Sequence, residues 1–166
     1  MHSYNIAFAG AGKVASALSK VLFDSGHSII RIVSPGKENG EKLAFLCNAE
    51  WSDQLIFSEN TDIIIVAVPD HVVKDVLFQI NCPNDAIVAH TAGSLGLDIF
   101  PPHIKNSGVL YPLQTFLKER KADFKTIPFF IEASNNQTVR VLKEISETIG
   151  GSVYFSNTEH RRLLHL

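Results

Sequence analysis

Only two of the 166 residues are cysteine, Cys47 and Cys82, and they stand far apart with no CxxC or metal-ligand spacing. That argues against a disulfide framework and a thiolate metal site, and leaves two buried, reduced thiols in a cytoplasmic protein as the expectation. Excess charge is also missing. Lys and Arg total 15 against 17 Asp and Glu, for a formal net charge of −2. No field of either sign is available to draw the chain to nucleic acid or to an anionic membrane, so neither is expected as a partner. Long hydrophobic runs are absent too. The longest unbroken apolar stretch, Ile63 to Val68, is far too short to span a bilayer. The segment Met1-His2-Ser3-Tyr4 has no basic region and no cleavage site of a secretory signal. Internal repeats and low-complexity tracts are lacking. What the chain does have is 45% hydrophobic and 19% charged residues, enough for a real core and too apolar for disorder.

Apolar runs alternate with helix-like segments. Asn5 to Ala9 reads as a buried strand, followed by a glycine turn and a helix from about Gly12 to Ser25. In that helix Val14, Leu18, Val21 and Leu22 recur at helical spacing, and Gly26 ends it. Ile29 to Val33 predicts a second strand and Lys37 to Cys47 a second helix. Asp62 to Val68 predicts a strand buried on both faces, closed by Pro69-Asp70, with a helix over His71 to Gln79. Short strands follow at Ala86 to Ala89, Gly108 to Tyr111 and Phe129 to Glu132. Ser134-Asn135-Asn136 caps a helix that reaches Ile149, Ser152 to Phe155 is a last strand, and Asn157 begins a helix that is still running at Leu166. Strand–helix alternation with short connections predicts an α/β fold: a mostly parallel, doubly wound sheet with helices on both faces. Leu163, Leu164 and Leu166 have nothing after them to pack against, so residues 157–166 are expected to begin a truncated helical domain behind a first domain of 1–156. A short helix docked on its own domain is the alternative.

Gly10-Ala11-Gly12-Lys13-Val14-Ala15 reads G-x-G-x-x-A, directly after a strand and opening a helix. In that context it predicts a dinucleotide-binding turn. Gly10 permits the tight turn, Gly12 leaves room for a pyrophosphate, and Ala15 lets the helix lie against the strand. Free amides and the positive dipole end of the helix would face the phosphates. The spacing of a mononucleotide P-loop is absent, and Val14 stands where its Ser or Thr would hold magnesium. At the end of the second strand, where an NAD site carries an acid for the ribose hydroxyl, stands Ser34, with Arg31 and Lys37 nearby. A serine and a cation suit a 2′-phosphate, so NADP is expected as the cofactor, with Ser34 and Lys37 reading the phosphate. FAD and S-adenosylmethionine fit less well without a carboxylate. Val68, Pro69 and Asp70 would line the nicotinamide half, although Pro69-Asp70 also reads as a plain helix start with Asp70 as its cap.

Together with His90-Thr91-Ala92-Gly93-Ser94 and Tyr111-Pro112-Leu113-Gln114-Thr115-Phe116, these motifs resemble the Rossmann-like NADP oxidoreductases related to pyrroline-5-carboxylate reductase and to the coenzyme F420-dependent group. Ile127 to Ala133 and Glu159-His160-Arg161-Arg162 match the same pattern, so the resemblance covers essentially the whole chain. It implies a second, all-helical domain that forms much of the substrate cleft and a homodimer.

Hydride transfer to a small carbonyl or imine needs a proton donor or polar partner beside the nicotinamide. His90 and Ser94 follow one strand and Gln114 the next, at the carboxyl edge where such sites lie, and these are the candidate catalytic residues. Each has a plain reading as well: a backbone-bonded loop histidine, a turn cap, a cleft-edge amide. Thr91 and Thr115 fall at the same edge, and Tyr111 reads better as packing. His160 and His165 are spaced i, i+5, which does not align two ligands, so no metal is expected. His2, His27, His71 and His103 read as surface or turn residues, and Phe8, Phe78, Phe129 and Phe130 as core. Lys118 to Lys121 reads as a solvated loop. The competing function is a non-catalytic nucleotide-binding or regulatory module.

Overall fold

The run Ile63–Val66 is wholly buried because both of its faces are covered, and the rest of the fold is arranged around it. A computed structural model describes residues 2–114 and 122–164. Strands are β1 (Asn5–Ala9), β2 (Ser28–Val33), β3 (Glu50–Ser52), β4 (Ile63–Val66), β5 (Ile87–His90), β6 (Asn106–Pro112), β7 (Pro128–Ala133) and β8 (Ser152–Phe155). Helices are α1 (Lys13–Asp24), α2 (Lys37–Leu46), α3 (Asp70–Gln79), α4 (Asn136–Thr148) and α5 (Thr158–Leu164). One sheet runs β3-β2-β1-β4-β5-β6-β7-β8. Every neighbouring pair is parallel except β6 and β7, where Gly108 faces Ala133 in antiparallel register.

Alternation along the central strands sends successive side chains to opposite faces. Ile6, Phe8, Ile63 and Ile65 pack with Leu18 and Leu22 of α1, Leu43 of α2 and Leu142 and Ile145 of α4. Ala7, Ala9, Ile64, Val66 and Val88 pack with Val73 and Leu77 of α3. This is the doubly wound arrangement expected of the sequence. Each large side chain removed from water contributes ~1.5–3 kcal/mol, so both layers stabilise the sheet.

Several local readings need correction. β3 had no signal of its own; three residues fix to the sheet edge only because β2 offers Arg31 to Val33 as partners. The strand expected over Asp62 to Val68 ends at Val66, and Ala67 and Val68 already belong to the turn. Pro69, not Asp70, takes the cap position of α3. Phe78, expected in the core, is 55% exposed because it falls on the outer side of α3, away from Val73 and Leu77. Phe130 is half-buried and stacks on Tyr154 at 5.5 Å. Asn135 caps α4 as expected, its side chain accepting from the Thr138 N–H at 2.8 Å. Thr115, the Lys118–Lys121 segment and His165 lie outside the described residues.

His27, expected at the surface, is 3% exposed. The Tyr4 amide donates to its Nδ1 at 3.1 Å, so Nε2 carries the hydrogen and faces the Thr148 hydroxyl at 3.1 Å. Tyr4 in turn donates its hydroxyl to Glu144 at 2.6 Å, joining the first strand to α4. Both imidazole nitrogens are thus satisfied in the neutral form. Burial lowers the His27 pKa from its ordinary 6.5, with Glu144 opposing and His2 adding to the effect. The unfolded chain therefore takes up a proton near pH 6.5 that the folded chain resists, and stability falls as the pH drops below that value. Urea unfolding between pH 7.5 and 5.5 is expected to show this loss, and His27→Gln to flatten the profile while costing stability at neutral pH.

Candidate nucleotide-binding site

The carboxyl ends of β1, β2 and β4 meet at one edge of the sheet, and the turns that leave β1 and β4 lie in close contact. Gly10 donates its N–H to Val33 O at 2.8 Å, and Ala67 donates to Ala9 O at 2.9 Å, so the turns stay tied to the ladder. Gly10 sits at φ +118°, and a Cβ there would run into the carbonyl oxygen of Ala67. Only glycine fits. Gly12 differs: a Cβ on it would meet no protein atom within 4 Å, because it faces open space. As the N-cap of α1 it brings no side chain to the first amides of the helix. Those amides and the dipole end are left directed at whatever occupies that space.

The space is a cleft of about 910 Å³. Ala9 to Val14 form its floor, Val33 to Pro35 with Asp53 and Leu55 one end, and Ala67 to Asp70 with Val72, Asp75, Val76 and Gln79 of α3 one wall. Thr91, Tyr111, Pro112 and Gln114 close the other end. A cleft of this size matches the ordinary range for cofactor sites. A second hollow, about 580 Å³, lies beside His27 to Arg31 at the opposite, amino end of β2. No glycine turn or helix start faces it.

Of the residues picked out in the sequence, Gly10, Ala11, Gly12, Lys13, Val14, Val68, Pro69, Asp70 and Gln114 all line the cleft. Ser34 lines it too, but its hydroxyl is turned inward. It donates to Gly36 O at 2.8 Å and accepts from the Trp51 indole at 3.0 Å, and the residue is 5% exposed. Lys37 stands outside the lining, its ammonium 3.7 Å from Glu41 and 6.0 Å from the Trp51 ring centre. Arg31 is bound to Glu50 and to Ile56 O.

His90 requires the largest correction. It is wholly buried behind the cleft, not in it. The Ala92 amide donates to Nδ1 at 3.1 Å, Nε2 bonds Gly96 O at 3.1 Å, and the ring stacks on Phe100 at 5.6 Å. Burial pushes its pKa down to about 4, helped by the Arg161 charge, while the Gly96 carbonyl, Asp70 and Glu132 oppose. A neutral ring with both nitrogens engaged holds a loop in shape; it has no proton to offer substrate. Ser94 does not line the cleft either, but it donates to Asp70 Oδ2, which does, at 3.0 Å. It caps no helix.

Sequence reasoning missed the wall formed by α3. Val72, Asp75, Val76 and Gln79 recur at helical spacing, one position away from the buried Val73 and Leu77, so periodicity carried that signal. Asp53 had none, since it follows the unrecognised β3. Tyr111, read as packing, is 8% exposed and does both: it packs and it borders the cleft. Its pKa is raised by burial and then by Asp70, so it stays protonated at neutral pH. Among the described lining residues Lys13 is the one cation, against Asp53, Asp70 and Asp75. Among the described residues no group of three His, Cys, Asp or Glu is placed to hold a metal ion, and no helix is long and apolar enough to cross a membrane.

Residues 5–93, which hold the glycine turn, α3 and β5, match the family of coenzyme F420-dependent NADP oxidoreductases. The chain belongs to that family. NADP is thus the cofactor of its family, in line with the sequence expectation. Among solved structures it is similar to a Bacteroides fragilis protein whose assignment as an NADP oxidoreductase is provisional. The TM-score is 0.88 and the identity 34%, over 98% of this chain and 64% of that one. A Thermotoga maritima protein gives a TM-score of 0.77 at 23% identity, over 96% of this chain and 60% of that one. Pyrroline carboxylate reductase of Plasmodium falciparum, solved with NADP bound, gives 0.71 at 14% identity, over 96% of this chain and 60% of that one. The last two likenesses show the fold alone. This chain therefore spans less than two thirds of each of these relatives. Among curated proteins none matches the sequence.

The two glycines separate fold from binding. Gly12→Val is expected to keep the melting temperature within a few degrees of the parent and to abolish NADPH binding, as read by calorimetric titration. Gly10→Ala is expected to cost on the order of 3 kcal/mol of stability, since it combines positive φ with a backbone collision. Urea unfolding of the two variants checks the contrast.

Proposed function

We propose that this chain is the cofactor-binding domain of an NADP-dependent oxidoreductase, with residues 157–164 leading toward a second, helical domain that completes the substrate cleft and the homodimer. The observation that carries the reading is the open Gly12 position at the uncapped start of α1, set in a cleft of about 910 Å³. When bound, NADP(H) supplies the hydride chemistry, with a small carbonyl or imine as the other reactant.

The residues present fit the group along most of its length. Gly12 lets the pyrophosphate reach the first amides of α1, and Lys13 adds the only positive side chain among the described residues of the lining. Pro35, Leu55, Val72 and Val76 cover the adenosine half with apolar surface. The start of α2, where Gly36 leaves the first amides without a side-chain cap, would hold the 2′-phosphate. Lys37, 70% exposed, is free to swing to it from Glu41. Ser34 contributes by shaping the turn, not through its hydroxyl. Val68, Pro69, Thr91, Tyr111 and Gln114 border the nicotinamide half, where Gln114 and Tyr111 offer hydrogen bonds to the carboxamide or to substrate.

Since His90 is withdrawn from the cleft, it is not the proton donor; that role falls to the protonated Tyr111 or to a group that the second domain supplies. A cytoplasmic location goes with this reading. The non-catalytic module is the weaker reading, because the chain belongs to a family of NADP oxidoreductases.

Thermal unfolding with NADPH, NADP, NADH or NAD checks the proposal. At about 100 times its dissociation constant a ligand stabilises by ~2.7 kcal/mol. For a domain of this size each kcal/mol moves the midpoint by ~2–4 °C. NADPH and NADP are expected to raise the midpoint by several degrees and NADH and NAD by less. No shift with any of the four would overturn the assignment.

A further inference from the structure

Among the described residues Arg161 is the largest side chain with no exposed surface. It lies on α5, outside the cleft, and none of the chemistry above uses it. One guanidinium nitrogen donates to Glu132 of β7 at 2.5 Å. The other donates to Leu95 O at 3.0 Å and to the Thr158 hydroxyl at 3.3 Å. Among the described residues its Nε has no partner. The next residue, Arg162, is exposed and donates from Nε to Ser94 O at 3.1 Å. Consecutive arginines of one helix thus grip consecutive carbonyls of one loop.

That loop, residues 91–96, joins β5 to the nicotinamide end of the cleft. It is held from three sides. His90 bonds Gly96 O from within the core. Ser94 bonds Asp70, the first residue of α3 and part of the cleft wall. From outside, α5 packs so closely that a Cβ on Gly96 would strike the Thr158 hydroxyl. A buried ion pair is a poor source of stability, because desolvation offsets most of the attraction and an apolar residue would fill the space as well. What a forked, charged group does better is fix two bonded oxygens in one geometry.

We propose that Arg161 and Arg162 are positioning residues: they hold the Ser94–Leu95 backbone, and through the Ser94–Asp70 bond they set the nicotinamide end of the cleft. Neither lines the cleft. The inference rests on the cofactor reading above, and it makes the placement of α5 a condition for the shape of the cleft.

The adenosine half of the cleft lies at the other end, by Pro35 and Leu55, and serves as an internal control. The test is calorimetric titration of the parent, Arg162→Ala and Arg161→Lys with NADPH and, separately, with 2′,5′-ADP, which occupies only the adenosine half. Arg162→Ala removes an exposed side chain and leaves the core intact. Arg161→Lys keeps the charge but loses the fork. In both variants NADPH binding is expected to weaken by roughly threefold to tenfold, the equivalent of one hydrogen-bonded contact, with 2′,5′-ADP within twofold of the parent. A purely structural role would weaken both ligands together or neither, and either result would overturn the inference. If the parent itself bound neither ligand, the NADP reading would fail first, which separates the two.

Discussion

The close approach of the β1 turn to the end of β4 is the constraint on which the site depends. Gly10 lies against the Ala67 carbonyl with no room for a Cβ, at a φ that other residues resist. Because the backbones touch there, α1 starts at the sheet edge with its first amides open to the cleft, and Ala67 to Asp70 becomes the facing wall. Two glycines two residues apart thus act in opposite ways. One removes space inside the protein, and the other leaves space for something outside it.

Behind the cleft lies a second layer of polar groups that the protein does not expose. His90, Arg161 and Glu132 are linked through the 91–96 loop, and Asp70 joins them from the cleft side through Ser94. Burial holds His90 neutral, which suits a ring that must accept from one amide and donate to one carbonyl. The nearby Arg161 charge reinforces that state. The loop therefore combines a neutral anchor inside with a charged anchor outside. Loops at cofactor sites otherwise hold few buried contacts and move easily; this one is fixed by side chains from β5, α3 and α5.

Much of the fold was legible because it rests on local pattern. The all-apolar Ile63–Val66 run identified a central strand, the helical spacing of Leu18 and Leu22 identified α1, and the glycine turn just before α1 marked the candidate cleft. Failures came where a residue's partner is distant in sequence. β3 is a strand only because β2 stands beside it. His27 is buried only because Tyr4 and Thr148 converge on it from opposite ends of the chain. Phe78 is apolar and helical, yet nothing in its neighbourhood of sequence says that its side of α3 lies uncovered.

The residues alone determined the class of the fold, the position of the glycine turn and the edge of the sheet where the candidate cleft lies, since hydrophobic periodicity and backbone freedom are properties of short segments. Tertiary structure decided which polar groups at that edge are available. His90 and Ser94 stand in one short motif, but strand register sends one into the core and leaves the other bonded to Asp70. Ser34 sits where a phosphate reader belongs, but Trp51, brought in by β3, takes its hydroxyl. A side chain's direction and its competing partners come from packing across the sheet, and no local pattern encodes them.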